Sequence, residues 1–366
     1  MAHTRATISI SEAAAALLLL LLLPPPLSFI VGAAAAPRGI GMPGCATSCG
    51  NVSVPCPFGV GPERCYWPGF NLTCDRRSSP PRLLLGDGSL QVVEDILLGS
   101  AITVVRQGDI RLDENGACAF GGGLRDDGPY SLAFNNDLIL TGCNAQATLK
   151  NGHVTVAGCS SFCETEDVDG SDFNGFPLSR HPTSMVCSGI ACCQSAVLTN
   201  YQDRRAGKVP HSGSYGVELR WLGWNGTADR RWPPRVYVAM NGWFEQTRFS
   251  YDLLWKGTRP SVAVPVLLDW EVASHGAEPD SNTSSSECPA EAARTVCRSN
   301  HASCNKGARG YTCFCDEGYE GNPYLPRGCQ GFSFAFHLQC IMLHTISCHS
   351  LTLLRRLVSM TAYYLD

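Results

Sequence analysis

The chain has 366 residues, of which 44% are hydrophobic and 16% charged, with a formal net charge of −4. That balance leaves no polyelectrolyte footprint and argues against nucleic acid as a partner, while the apolar share is enough for a true core and excludes a disordered stalk. Twenty cysteines suit an oxidising lumen and would be aimless in a cytosol.

At the amino end His3 and Arg5 precede an apolar run, Ala13 to Leu23, then Pro24-Pro25-Pro26 and the small residues Ala33 to Ala36. This is the layout of a secretory signal over residues 1–36, with cleavage near Ala35 or Ala36. The run is short for a bilayer span. Sequons at Asn51, Asn71, Asn225 and Asn282 predict a glycoprotein.

From Gly44 to Gln194 twelve cysteines lie among short apolar runs. Leu83 to Leu85, Leu90 to Leu98, Ile102 to Val105, Tyr130 to Phe134, Leu138 to Leu140 and Val154 to Val156 read as strands, punctuated by turns at Gly86-Asp87-Gly88 and Asn151-Gly152. Sustained helical periodicity is absent outside the signal, so the fold class is all-β or β-rich and disulfide-braced. Cys192 and Cys193 are adjacent, which sends them to different partners; the rest of the pairing is not readable here. Residues 195–272 hold no cysteine but include Trp221, Trp224, Trp232, Trp243 and Trp255, so aromatic burial is expected to replace cross-links. Arg235 to Ala239 and Ser261 to Leu268 read as further strands. Between Tyr201 and Pro260 ten basic residues face five acidic ones, and Ala277 to Ser286 reads as a linker.

The last lumenal cysteines, Cys288, Cys297, Cys304, Cys313, Cys315 and Cys329, are spaced C-x8-C-x6-C-x8-C-x-C-x13-C. So short a segment cannot bury a core of its own, and cross-links must replace it. A zinc site is the competing reading, but no CxxC or CxxH spacing is present. The spacing resembles an EGF-like module over 284–330. That resemblance implies the pairs Cys288–Cys304, Cys297–Cys313 and Cys315–Cys329.

A wider likeness joins it. Cys49-Gly50-Asn51-Val52-Ser53-Val54-Pro55-Cys56-Pro57-Phe58-Gly59, with Cys65 and Gly69-Phe70-Asn71-Leu72-Thr73-Cys74, resembles the galacturonan-binding opening of plant wall-associated receptor kinases. Gly158 to Cys163, Cys187 to Gln194, Val264 to Trp270 and Gly318 to Leu325 follow in the family's order. Cys56 stands where the family often has an aromatic. The resemblance implies a galacturonan-binding cysteine-rich domain at 44–110, a β-rich extracellular domain at 111–272, the EGF-like module, and a divergent tail at 331–366. It implies location outside the cell, in the cell wall, either secreted or tethered to a membrane, and non-enzymatic recognition of pectin (homogalacturonan or its oligomers). The expected partners are that acidic polysaccharide and a co-receptor or full-length receptor kinases. The alternative is a protein-interaction module, or a decoy for a co-receptor or peptide.

A linear polyanion calls for arginine forks and aromatic faces. Arg64, Tyr66, Trp67, Arg76, Arg77 and Arg82 are the candidates, set against the ordinary reading that such arginines solvate a surface and that Trp67 is core. Trp224, Arg230, Arg231, Trp232 and Arg235 form a rival patch. No catalytic group, cofactor or metal is expected. No Gly-rich phosphate loop, VAIK-like lysine or HRD–DFG pair occurs. Glu94-Asp95 and Asp126-Asp127 are neighbours that point to opposite faces of a strand. Calcium would need several oxygen ligands at the EGF-like module, where Glu287 stands alone and Lys306 takes a ligand position. Residues 331–354 are mostly apolar and precede Arg355-Arg356 as a membrane segment would. His337, Gln339, His344 and His349 interrupt them at a cost.

Overall fold

The computed structural model describes residues 39–331 except 100, 114, 122–123, 126, 163–186, 188, 190–191, 199–213, 223–232, 247–261, 274–287 and 308. The expected signal, linker and tail therefore lie outside the described residues.

The chain opens with a small hairpin of β1 (Ser48–Cys49) and β2 (Val52–Ser53). A seven-stranded sheet follows. Its spatial order is β3 (Gly59–Val60), β4 (Asn71–Asp75), β5 (Arg82–Leu85), β6 (Leu90–Val92), β7 (Ile102–Gln107), β16 (Ala263–Trp270) and β9 (Tyr130–Leu132). Period-two burial builds it. Leu83 and Leu85 point inward from β5, and Val264, Val266, Leu268 and Trp270 point inward from β16, as alternation of side chains across a strand requires. Because β16 pairs with β7, the sheet draws strands from both sides of residue 110.

A four-stranded sheet runs β12 (Val154–Ser161), β11 (Ala145–Asn151), β14 (Tyr215–Trp221), β8 (Ala117–Ala119). A three-stranded one runs β13 (Cys192–Ala196), β10 (Asn136–Thr141), β15 (Arg235–Met240). All residues of β10 are buried; it is a central strand covered on both faces. Its polar head is satisfied from within. Asn136 Nδ2 donates to Ala133 O and Leu267 O, both at 2.8 Å, and its Oδ1 accepts from Leu267 N at 2.9 Å. One side chain thus sews the three-stranded sheet to β16. Helix α1 (Trp243–Gln246) follows β15, with Trp243 and Phe244 buried.

The strand expected over Leu90 to Leu98 is shorter, ending at Val92. Beyond it the chain leaves the ladder, and Asp95 Oδ1 accepts a hydrogen bond from Ser53 N at 2.7 Å, which ties this loop to the opening hairpin.

Disulfides brace the opening region through Cys45–Cys65 and Cys49–Cys74. The adjacent pair separates: Cys193 joins Cys159 of β12 and Cys192 joins Cys187. Cys143 is also disulfide-bonded. Cys56 and Cys118 carry free thiols. Burial pushes the Cys56 thiol up to about 12, against a smaller opposing pull from the Arg298 charge.

The terminal module holds helix α2 (Ala290–Val296), the hairpin β17 (Ala302–Lys306) with β18 (Tyr311–Cys315), and the hairpin β19 (Tyr319–Gly321) with β20 (Cys329–Gly331). Cys288–Cys304, Cys297–Cys313 and Cys315–Cys329 cross-link it. All described elements belong to one compact unit that starts at Gly39. The module is built into that unit rather than tethered to it. Val272 and Tyr311 exchange both backbone hydrogen bonds at 2.9 Å. A Cβ on Gly310 would meet Val272 O at 2.4 Å, so this approach needs glycine. Asn322 Nδ2 donates to Ile40 O at 2.8 Å and Cys56 O at 2.9 Å, while its Oδ1 accepts from Tyr324 N.

Tyr324 has no exposed surface and enters an aromatic hub. Phe58 lies 5.0 Å from both Phe70 and Trp270, and Tyr324 lies 5.7 Å from Trp270 and 5.8 Å from Trp67. Most of these contacts are edge-to-face, the arrangement ring quadrupoles favour.

Candidate functional site

The six sequence-derived ligand candidates fall into two neighbouring groups. The first is an arginine ridge at the β4–β5 turn. Asp75 and Arg82 are cross-strand partners, and Asp75 takes an ion pair from Arg82 at 3.6 Å and another from Arg77 Nε at 3.0 Å. Hydrogen bonding from Arg77 holds the Asp75 carboxyl below its usual range. Arg76, Arg77 and Arg82 are all exposed, with the Arg77 side chain 93% accessible. Two of these cations share one carboxylate, and the third, Arg76, has no ion-pair partner among the described residues. The ridge therefore presents net positive charge to solvent.

The second is Arg64, Tyr66 and Trp67, of which Tyr66 and Trp67 line a cleft of about 850 Å³. A short 3-10 turn, Glu63–Cys65, carries exposed Arg64 and is anchored by the Cys45–Cys65 bridge. It delivers Tyr66 and Trp67 to the cleft wall. Trp67 is half-buried. One edge contact goes to Tyr324, and the Arg298 guanidinium lies over its ring at 4.6 Å. Trp67 is thus both core and site: its ring is a support for a cation, not an open stacking face.

The other walls come from remote sequence. Asn71, Leu85, Gly86 and Asp87 border the cleft from β4 and β5; Arg125, Asp127 and Tyr130 border it from the approach to β9; Val296 and Arg298 come from the terminal module. Arg125 is held two-pronged by Asp127, Nε to Oδ1 at 2.9 Å and Nη2 to Oδ2 at 2.8 Å. Two arginines and two aspartates leave the cleft balanced in charge, unlike the ridge. Arg298, Arg125 and Tyr130 have no local motif in the sequence, because only folding brings their segments to Trp67.

Of the rival patch, Arg235 is 7% exposed, a core cation rather than a surface one, and Trp224, Arg230, Arg231 and Trp232 lie outside the described residues. Asn51 and Asn71 are exposed; Asn225 and Asn282 lie outside the described residues. Glu287 and Asp126 also fall outside them, and no group of metal-ligating side chains occurs among the described residues. No helix there is long and apolar enough to cross a membrane.

Residues 45–106 match the family described as wall-associated receptor kinase galacturonan-binding. The chain is 30% identical over 324 residues to wall-associated receptor kinase 2 of Arabidopsis thaliana, covering 84% of this chain and 36% of that protein. It is 27% identical over 326 residues to wall-associated receptor kinase 1, covering 84% and 36%, and 28% identical over 300 residues to wall-associated receptor kinase 3, covering 78% and 35%, both from the same plant. The chain thus spans little more than a third of the length of the curated relatives it matches. No solved structure matches it. Residues 45–106 form a wall-associated receptor kinase galacturonan-binding domain, and the chain is homologous to wall-associated receptor kinases over most of its length.

Proposed function

We propose that the protein is an extracellular receptor-type binding module that recognises homogalacturonan or its oligomers without chemical change. The observation that carries this reading is the exposed ridge of Arg76, Arg77 and Arg82 around one carboxylate, inside the segment that matches a galacturonan-binding family. Guanidinium forks match carboxylates in geometry as well as charge. Spaced along a strand end, they meet successive uronates of a linear polymer. Arg64, exposed on the short turn before Tyr66, adds a further cation to the matched segment.

The test is binding of the whole chain to immobilised polygalacturonate, with a neutral glucan as control. Binding should weaken steeply between 10 and 150 mM salt, as the screening length falls from about 30 Å to about 8 Å. The combined substitution Arg76→Ala, Arg77→Ala and Arg82→Ala should remove most of that salt dependence together with most of the affinity. Salt-insensitive binding, or equal retention on the neutral glucan, would refute the ridge.

A further inference from the structure

We propose that the cleft beside Trp67 seats a single uronate unit of the same acidic carbohydrate, with Arg298 of the terminal cysteine-rich module receiving its carboxylate. This rests on the galacturonan-binding reading and adds a second subsite, contributed in part by a region outside the matched domain.

The first support is the state of Arg298. Its guanidinium carbon lies over the Trp67 ring, 4.6 Å from the centroid, and its Nε donates to Thr295 O at 3.3 Å. The ring contact and one hydrogen bond restrain the fork and leave its outer nitrogens for a ligand, which lowers the ordering cost of binding. No carboxylate pairs with Arg298 among the described residues, whereas Arg125 across the cleft is already held by Asp127. The second is Tyr130. It lines the cleft, is 2% exposed, and its hydroxyl makes no hydrogen bond to a described residue. Leaving such a group without a partner is costly; its oxygen is enclosed in this structure, and a small shift of the cleft wall on binding lets a sugar hydroxyl supply one. Third, about 850 Å³ is within the range of small-ligand sites.

Charge decides how much ligand enters. Asp87 and Asp127 border the same cleft and repel a run of carboxylates, yet they accept hydrogen bonds from sugar hydroxyls. One carboxylate on Arg298 is tolerated; a train of them is not. Strand β4 leads from the cleft at Asn71 to the ridge at Asp75, a span of about 13 Å at strand rise. A short oligomer can therefore hold an end unit in the cleft while later units reach the ridge.

The experiment is titration calorimetry of the full chain with trigalacturonic acid, its fully methyl-esterified form, and maltotriose. Arg298→Gln should weaken trigalacturonic acid about tenfold or more, the scale of a lost charged hydrogen bond. Esterification should cost less in Arg298→Gln than in the native chain, a coupling that a purely structural role would not produce. Arg298→Lys keeps the charge without the fork and should fall between; it carries the test if near-ultraviolet circular dichroism shows Arg298→Gln misfolded. Native-like affinity in both variants would overturn the cleft. If polymer binding is then still lost in the triple ridge variant, the ridge reading survives alone. If the native chain binds neither polymer nor trimer, both readings fall together.

Discussion

Two asparagines close two seams in this molecule by the same chemistry. Asn136 and Asn322 each donate both Nδ2 hydrogens to backbone carbonyls and accept one backbone N–H on Oδ1. Both are almost fully buried. Their settings differ. Asn136 joins two sheets whose aliphatic faces, Leu138 and Leu140 on one side and Val266 and Leu268 on the other, are already buried in a common core. Asn322 belongs to a module too small to enclose a core, and its neighbour Tyr324 is buried in a hub assembled mostly by other segments. The sheets bring their own apolar drive to the seam, whereas the module borrows it. Disulfides make the module rigid; aromatic insertion makes it part of the whole.

The largest expected effect tests the borrowing. Tyr324→Ala should cost about 3–5 kcal/mol, the range for truncating a buried aromatic, read by urea unfolding. Tyr324→Phe should cost only about 1 kcal/mol, since it loses one hydrogen bond, from Cys313 N, and keeps the ring. A Tyr324→Ala chain of native stability would mean the hub does not depend on the module.

Next come the asparagines. Asn322→Ala and Asn136→Ala each strand buried carbonyls, at about 2 kcal/mol or more apiece. The sharper reading is local. In Asn322→Ala, native-state hydrogen exchange should rise at Val272 and Tyr311, where the module is bonded to the sheet, and stay slow across β10 and β15. Asn136→Ala should raise exchange near Leu267 first. Uniform acceleration in both would erase the distinction between the seams.

The smallest effect concerns thiols. Cys118 is half-buried and Cys56 fully buried. A disulfide-exchange reagent at pH 8 should label Cys118 in the native protein and reach Cys56 only after unfolding. The Cys56 thiol sits at about 12 against an ordinary 9.0. In the unfolded chain it ionises first, so its contribution to stability is complete below pH 9 and is lost as pH rises towards 12, at about 1.4 kcal/mol per pH unit. Cys56→Ala should flatten that part of the alkaline limb. Rapid native labelling of Cys56 would show that the hub opens.

Much of the β architecture was readable because strand burial is local information. The alternation Val264, Val266, Leu268, Trp270 states its inner face in eight residues, and the rule that adjacent cysteines part company already separated Cys192 from Cys193. What stayed hidden depends on distant segments meeting. Nothing around Asn136 announces a partner at Leu267, and although Cys56 stood out as replacing an aromatic, its neighbours did not announce that it would be left without a bridge. Likewise the arginine spacing of 76, 77 and 82 was visible, but its division from Tyr66 and Trp67 was not. A turn geometry placed one set on a ridge, and the arrival of Arg298 made the other a cleft.

The hydrogen bond from Asn322 to Ile40 spans 282 positions, and this bears on biosynthesis. The opening domain is translated first, yet the carbonyls of Ile40 and Cys56 receive their clasp only after Asn322 has been made. Its bridges can form early, but its maturation waits for the end of the described chain. A polypeptide halted before that point would leave the aromatic hub without Tyr324 and the two carbonyls without their donor.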